Sequence, residues 1–167
     1  MKLVLHDQAP RHKQNFLKLA KEGFYNGTTF HRVIPDFMIQ GGDVNSKDDD
    51  KSNDGAGSLG YTIPAEITPE LKHKRGAVAA ARMGDNVNPN RESSSSQFYI
   101  VHNPKGTPHL DMKYTVFGQV IAGEEVIDKI AAQRTDPRDR PVEDVRMAVK
   151  VERMPKKKIT KLYGYQY

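Results

Sequence analysis

The stretch FHRVIPDFMIQGGD, residues 30–43, decides how this sequence folds. Two short apolar runs flank the dipeptide Pro35–Asp36, so each run is predicted to form a strand, with a turn between them. Each strand carries one polar group among apolar neighbours: Arg32 in the first strand and Gln40 in the second. A guanidinium and an amide within strands that otherwise resemble a core indicate a functional site, because packing alone does not require these polar groups.

The size and composition of the chain limit its class. It has 167 residues, of which 37% are hydrophobic and 28% charged, which is typical of one globular domain able to bury its own core. No apolar run approaches the ~20 residues of a membrane-spanning helix, so no membrane span is expected. The absence of cysteine excludes disulfides and thiolate metal sites.

The positive charge of the chain is concentrated at its C-terminus. The formal net charge is +5, and residues 155–167 supply +4 of it through four lysines and no acid, leaving +1 for the rest. A nucleic-acid-binding surface is basic across a folded face, so no nucleic-acid partner is expected. We divide the chain into a domain, residues 1–154, and a basic, tyrosine-rich tail, residues 155–167. Tyr163, Tyr165 and Tyr167 alternate as in a strand.

The hydrophobic pattern predicts many strands and two helices. Apolar residues recur at helical spacing after Pro10 and again over 124–133. Strand-like segments are predicted at 1–6, 28–34, 37–40, 76–82, 97–102, 115–121 and 145–154. Because strands and helices do not alternate regularly, the pattern favours an antiparallel sheet closed into a barrel or sandwich.

Two motifs suggest ligands but lack the required context. GAGSLG, residues 55–60, matches the dinucleotide pattern GxGxxG, but an acidic segment precedes it in place of a strand. Asp50, Ser52 and Asp54 resemble the start of a calcium loop, whose twelfth position would need Glu and is Tyr61 here. The histidines show no metal-ligand spacing. We therefore predict no cofactor and no metal site.

Several longer blocks point to one family. FHRVIPDFMIQGGD resembles the signature of the cyclophilins, which are peptidyl-prolyl cis-trans isomerases. GFYNGTTFHR, GAVAAARMGDN, SSQFYIV and HLDMKYTVFGQVIAGEEVIDKI resemble further blocks of that family, in its order, and together they span about residues 1–154. The resemblance implies a mainly β fold, an eight-stranded antiparallel barrel capped by two α-helices. The first family strand is expected to be partly truncated before Met1, which would leave an open barrel edge.

The chemistry of an X-Pro bond explains the residue types. Rotation faces a barrier of ~20 kcal/mol because the nitrogen lone pair is delocalised into the carbonyl. As the bond twists, that lone pair localises on nitrogen, and a fixed hydrogen-bond donor aimed there favours the twisted state. A guanidinium suits this role because it stays protonated and presents several donors on a rigid plane.

The resemblance assigns roles to eleven residues. Arg32 would be the catalytic donor, and Gln40 would steady it and touch the substrate backbone. The implied substrate-binding residues are Phe37, Met38, Ala81, Arg82, Gln97, Tyr99, His109, Leu110 and Tyr114. Among these, the backbones of Ala81 and Arg82 are expected to hold the peptide. Arg91 or Glu92 could contact residues that flank the proline.

Three positions depart from the best-known eukaryotic members of the family. His109 stands in place of tryptophan, Tyr114 in place of histidine, and Tyr99 in place of phenylalanine. Tyr114 resembles bacterial-type members, so we predict a bacterial-like subgroup. Loss of the indole N–H predicts weak binding of cyclosporin.

The leading hypothesis is a prolyl isomerase (rotamase) that acts on X-Pro bonds of proline-containing polypeptides during protein folding. The alternative is a binding module that holds proline-containing segments as an accessory subunit of a larger complex. A protein partner would then use the C-terminal tail or the open barrel edge. The sequence leaves the compartment open between bacterial cytoplasm and periplasm, with the periplasm favoured if a leader was removed upstream of Met1.

Overall fold

The structure is a computed structural model that describes residues 1–167. It has eight strands: β1 (Lys2–Leu5), β2 (Arg32–Ile34), β3 (Met38–Gly41), β4 (Thr62–Ile63), β5 (Ala77–Ala80), β6 (Ser93–Ser94), β7 (Phe98–Val101) and β8 (Val116–Ala122). Three helices accompany them: α1 (Pro10–Lys21), α2 (Glu125–Ala131) and α3 (Lys156–Tyr163). The predicted mainly β fold with eight strands is confirmed. The two predicted helices that cap the domain are α1 and α2. The C-terminal tail adds a third helix, α3, which was not among the predicted helices.

Six strands form one antiparallel sheet in the order β1-β8-β5-β7-β3-β2, and β4 pairs with β6 separately. Hydrogen bonds do not close the larger sheet, so β1 and β2 are its two edge strands. Neighbouring strands pair residue by residue, and Gln40 of β3 lies opposite both Arg32 of β2 and Tyr99 of β7. This register brings the polar residues of the quoted stretch to the same part of the sheet.

Side-chain alternation divides the strands between two apolar clusters. In β7, Phe98 and Ile100 belong to the larger cluster, whereas Tyr99 and Val101 belong to the smaller one. Successive strand residues point to opposite faces, so both faces of the sheet are buried at its centre. The larger cluster lies beneath the helices. The smaller cluster includes Met38 and Tyr99 and faces the candidate site.

The first two helices cover the larger cluster. Phe16 of α1 is 5% exposed, and its ring lies 5.6 Å from the rings of Phe98 and Phe117. Burial of such a side chain stabilises the fold by about 1.5–3 kcal/mol. Ile127 and Ile130 of α2 are buried in the same cluster. None of the helices has the length and apolar character needed to cross a bilayer.

The C-terminal tail packs against the domain as a helix, not as the strand that its alternating tyrosines suggested. Helix α3 begins after Pro155 and ends at Gly164, which has the left-handed φ of 68°. Glycine adopts this conformation without steric cost and often ends helices. The Lys2 ammonium donates a 2.8 Å hydrogen bond to the Tyr163 hydroxyl, so the helix lies beside edge strand β1.

The segment 145–154 was also predicted to be a strand, and the structure contains no strand there. Its single β-bridge joins Arg146 to Thr29. Its backbone nevertheless runs extended beside residues 27–30, since the Met147 N–H donates to the Thr28 carbonyl over 2.9 Å. Alternate apolar residues of this segment pack against the larger cluster: Val145, Met147, Val149 and Val151. The alternating pattern therefore reflects which half-buried side chains pack inward, although the segment does not form the predicted strand.

Candidate active site

An open cleft of about 490 Å³ lies over the smaller apolar cluster. Nine of the eleven residues singled out in the sequence line it: Arg32, Phe37, Met38, Gln40, Ala81, Arg82, Tyr99, Leu110 and Tyr114. The other two lie next to lining residues. Gln97 contacts Gln40, and the ring of His109 lies 5.8 Å from the ring of Phe37. The fold therefore brings together residues from five separate segments of the chain.

Arg32 occupies one side of the cleft on edge strand β2. Its guanidinium Nη1 donates to Gln40 Oε1 over 3.3 Å, across the β2–β3 register that places these residues opposite each other. Arg32 is exposed and Gln40 is half-buried. A guanidinium carries five N–H donors, so the bond to Gln40 restricts its position while other donors remain available to a ligand.

The turn between β2 and β3 is held rigidly by the neighbouring loop. Asp36 has a left-handed φ of 59°, which is uncommon outside glycine but tolerated by aspartate. The Asp36 N–H donates to His102 Nδ1 over 2.9 Å, and the Asp36 carbonyl accepts from Asn103 Nδ2 over 2.8 Å. These contacts fix the hairpin that carries both Arg32 and Gln40.

A second amide connects Gln40 to a long loop. Gln40 Nε2 donates to Gln97 Oε1 over 3.3 Å. The Gln97 amide donates in turn to the carbonyls of Gly55 and Gly57, over 3.0 and 3.2 Å. The fully buried Asp43 carboxylate accepts the N–H groups of these same two glycines. Arg32 is thus linked through two amides to a loop that Asp43 organises.

The apolar part of the cleft is built on β3, β7 and the segment after the second long loop. Met38 and Tyr99 are 2% and 5% exposed and form its base, and Phe37 and Leu110 are half-buried at its sides. These side chains offer an apolar surface with no charged group among them. Such a surface suits a small apolar ring such as that of proline.

The Tyr99 hydroxyl is satisfied beneath the cleft by a buried histidine. Tyr99 Oη lies 2.9 Å from His73 Nε2, and His73 Nδ1 lies 2.9 Å from Asp111 Oδ1. Burial lowers the pKa of His73 despite the nearby Asp111 carboxylate, so the imidazole is neutral. Nδ1–H therefore donates to Asp111, and Nε2 accepts the Tyr99 hydroxyl. Burial also raises the pKa of Tyr99, which keeps its hydroxyl protonated.

The backbone at the rim differs between the two residues expected to hold the peptide. The Ala81 N–H donates to the Gln97 carbonyl over 3.1 Å, and the Ala81 carbonyl accepts from the Ser94 N–H over 2.8 Å. Both Ala81 groups are thus used within the chain. The backbone N–H and carbonyl of Arg82 form no hydrogen bond to another residue of the chain, so they are the groups available to a peptide.

The Arg82 side chain supports the rim. It is 4% exposed, and its guanidinium lies 4.3 Å from the centre of the Tyr114 ring. It donates to the carbonyls of Lys113 and Met83, over 3.0 and 2.8 Å, and pairs with Asp85 over 2.8 Å. This side chain therefore holds Tyr114 and two loops in place.

Arg91 and Glu92 are both engaged within the chain. Arg91 donates to Asp85 Oδ2 and to the Met112 carbonyl, over 2.9 and 3.0 Å. Glu92 accepts a 2.8 Å hydrogen bond from Thr62 Oγ1. Neither side chain lines the cleft, so the structure does not support the expectation that they contact substrate.

Sequence reasoning missed the residues that support the site. Asp43 belongs to the quoted stretch, but nothing in the sequence indicates that its carboxylate accepts the N–H groups of Gly55 and Gly57. His73 lies in a segment without periodicity, and its partner Tyr99 is far along the chain. Contacts of this kind depend on tertiary packing and leave no local pattern.

The fold and the site together present an exposed guanidinium, that of Arg32, beside the apolar surface of the cleft. The family model described as cyclophilin type peptidyl-prolyl cis-trans isomerase/CLD matches residues 1–151. The chain is 42% identical to a peptidyl-prolyl cis-trans isomerase of Schizosaccharomyces pombe over 84% of each chain. It is 40% identical to one of Arabidopsis thaliana, covering 86% of this chain and 83% of the relative.

A longer relative and a solved structure are also similar to this chain. A protein of Streptococcus pyogenes, named as a bifunctional phosphatase/peptidyl-prolyl cis-trans isomerase, is 40% identical over 87% of this chain, which spans 35% of that protein's length. A crystal structure of a Cryptosporidium parvum cyclophilin type peptidyl-prolyl cis-trans isomerase, in the presence of the dipeptide Ala-Pro, matches with a TM-score of 0.76 and 28% identity. That match covers 90% of this chain and 92% of the other.

The chain belongs to the cyclophilin family of peptidyl-prolyl cis-trans isomerases. It is an enzyme of that class, as the sequence predicted. The named relatives are mostly eukaryotic, so they show the family and do not confirm the predicted bacterial-like subgroup within it.

Proposed function

We propose that the chain isomerises X-Pro bonds of proline-containing polypeptides in the cleft, with Arg32 as the donor that stabilises the twisted bond. One observation carries this assignment: of the two guanidinium groups at the cleft, that of Arg32 is exposed and that of Arg82 is buried against the rim. Gln40 restricts the position of Arg32 through a 3.3 Å hydrogen bond. A donor that is already in place loses little free energy to reorientation during the reaction.

The substrate proline is placed with its ring against Met38 and Tyr99, between Phe37 and Leu110. In this position its nitrogen faces Arg32. Twisting of the X-Pro bond concentrates the lone pair on that nitrogen, where a guanidinium N–H can donate to it. Both planar isomers lack this localised lone pair, so the interaction favours the twisted state over either of them. The reaction needs no proton transfer and no covalent intermediate.

The substrate backbone is proposed to pair with the open rim of the cleft. Arg82 offers a free N–H and carbonyl, and Gln40 offers its side-chain amide to the peptide. Gln97 acts mainly on Gln40, while His109 and Tyr114 bound the ends of the cleft. Ala81 contributes surface to the cleft, because its own backbone groups are already paired.

Replacement of Arg32 tests this assignment. Arg32→Ala should lower kcat/KM for an Ala-Pro-Phe peptide by about 100-fold or more, the scale reported for loss of one preorganised donor. Because Arg32 is exposed, the free energy of unfolding should change by less than about 0.5 kcal/mol. Arg138→Ala, which removes another exposed arginine outside the cleft, should leave turnover unchanged. Full turnover by a folded Arg32→Ala variant would refute the role of Arg32.

A second candidate function is a binding module within a larger complex. It is supported by the tail, which follows the family match and packs as a helix beside edge strand β1. In that case the cleft would hold a proline-containing loop of a partner. Partner binding that persists in Arg32→Ala, together with negligible turnover by the unaltered chain, would favour this alternative.

Two finer assignments are also proposals. Tyr114 and the similarity to the Streptococcus protein support a bacterial-like subgroup. The end of the family match at residue 151 supports a domain of residues 1–154 followed by a separate tail.

A further inference from the structure

Helix α3 has two faces of different character. Its inner face is held to the domain by polar contacts: Lys156 Nζ lies 2.6 Å from Asp7 Oδ2, and the Tyr163 hydroxyl accepts from Lys2. Beyond the helix, Tyr165 Oη lies 3.3 Å from His6 Nδ1. These contacts hold the helix against the domain, with its outer face directed towards solvent.

The outer face consists of Lys157, Lys158, Lys161 and Leu162, and we refer to it as the lysine face. All four residues are exposed, and Leu162 retains 53% of its accessible surface. None of the three lysines takes part in an ion pair, whereas Lys156 on the inner face does. Leu162 lies one helical turn from Lys158 and next to Lys161, so an apolar group sits among unpaired positive charges.

We propose that the lysine face docks an acidic segment of a partner protein that carries an apolar residue among its acids. The argument is charge complementarity: residues 155–167 contain four lysines and no acid, and three of those ammonium groups are unpaired. The single exposed Leu162 matches one apolar side chain of such a segment. Because α3 is already fixed on the domain, binding requires little ordering of the helix.

Two other anionic partners fit this face less well. An interfacial membrane helix buries a wide apolar face, and the lysine face has one leucine. Nucleic-acid surfaces extend over a folded basic face and use arginine for bidentate phosphate contacts, whereas α3 contains no arginine and the rest of the chain carries +1. An acidic protein segment needs neither feature.

The position of the lysine face keeps it separate from the cleft. Helix α3 contacts Lys2 of β1 and Asp7, and none of its residues lines the cleft. A segment docked on the lysine face is therefore expected to leave the lining residues of the cleft uncovered. Docking and prolyl isomerisation are expected to be independent, so the proposal does not rest on the assigned role of Arg32.

The test measures binding of a labelled peptide to the full chain. The probe is a short peptide of aspartate and glutamate with one central leucine, followed by fluorescence anisotropy at low salt. The double variant Lys158→Glu/Lys161→Glu should weaken binding by about tenfold or more, and added salt should weaken binding to the unaltered chain, because exposed charges are screened. Leu162→Ala should weaken binding by about threefold.

The matched control is Lys18→Glu/Lys21→Glu on α1, which changes the net charge equally at lysines that also form no ion pair. It should change peptide binding less than about twofold. Turnover of a proline peptide should be unchanged in both double variants, which also shows that they are folded. Equal weakening by both double variants, or no binding by the unaltered chain, would overturn the proposal. So would lysine-face-dependent binding of phosphatidylserine vesicles or a single-stranded oligonucleotide without binding of the peptide.

Discussion

Gln40 Nε2 lies 3.3 Å from Gln97 Oε1. Gln40, which lies opposite Arg32 in the β2–β3 pair, is therefore itself held by Gln97, the residue just before β7. Gln97 is 8% exposed and also donates to the carbonyls of the loop that Asp43 organises. The orientation of the Gln97 side chain is therefore fixed by the Gly55 and Gly57 carbonyls. This arrangement makes Gln97 a positioning residue for Gln40 and, through it, for Arg32.

Replacing Gln97 with the similarly sized Met should lower kcat/KM by about fivefold to tenfold, since each hydrogen bond of this kind contributes about 1 kcal/mol. A double-mutant cycle checks the mechanism: Gln40→Met/Gln97→Met should be little worse than the more damaging single variant. Gln133→Met on the surface is the matched control and should retain full turnover. Strictly additive losses would show that Gln97 does not act through Gln40.

Tyr99→Phe separates the structural role of the hydroxyl from the role of the ring. The variant leaves buried His73 Nε2 without its donor, so the free energy of unfolding should fall by about 1–3 kcal/mol. The ring still forms the base of the cleft, so kcat/KM should change less than about threefold. Urea unfolding and a peptide assay measure the two quantities. Tyr167→Phe, which alters an exposed tyrosine of the tail, should change neither.

Cyclosporin is expected to bind weakly because His109 lacks the indole N–H and the broad apolar face of tryptophan. His109 is exposed at the rim with its ring 5.8 Å from that of Phe37, so a larger ring can be accommodated there. His109→Trp should tighten binding by about tenfold or more, as measured by isothermal titration. Nanomolar affinity of the unaltered chain would contradict the prediction.

His31, next to Arg32, predicts a loss of stability in mild acid. It is 6% exposed, its Nδ1 has no partner, and burial lowers its pKa below the ordinary value of 6.5. The unfolded chain therefore binds this proton more readily than the folded chain does. The stabilising contribution is complete above pH 6.5 and is lost as the pH falls towards the folded-state pKa.

His31→Gln tests whether His31 causes this loss of stability as the pH falls. Between about pH 7.5 and 5, the free energy of unfolding should fall less steeply in the variant than in the unaltered chain. The two slopes should differ by up to about 1.4 kcal/mol per pH unit, the value for one linked proton. Urea titrations at several pH values measure the slope. An identical slope for His31→Gln would show that the His31 proton is not linked to unfolding.

The strands that carry the site could be predicted because their local patterns agree with their tertiary environment. Arg32 and Gln40 flank a Pro-Asp turn, which indicates a hairpin and places them near each other before any contact is known. The assignment of the other cleft residues depended on the resemblance to a family, since Phe37 or Tyr99 alone is equally typical of a core. Neither the local pattern nor the family resemblance indicates that the Gly55 and Gly57 carbonyls support Gln97, which only the structure shows.

The tail shows why alternation can mislead. Tyr163, Tyr165 and Tyr167 repeat every second residue, but only the first lies in the helix, and the other two follow it. Pro155 before the lysines and Gly164 after Tyr163 form the proline-start and glycine-end pattern of helices. Those two residues were the stronger signal, because they restrict the backbone itself rather than the direction of side chains.

The cleft is open to solvent, and its sides are strands or loops fixed by Arg82, His73 and Asp36. The lining residues are already assembled into one cleft, so we expect that no segment has to close before the bond can rotate. A substrate therefore does not need a free end or a fully unfolded chain: a proline on a projecting loop of an otherwise native protein can be processed in place. Turnover of such a substrate is then expected to depend on how far that loop projects, a property of the substrate rather than of the enzyme.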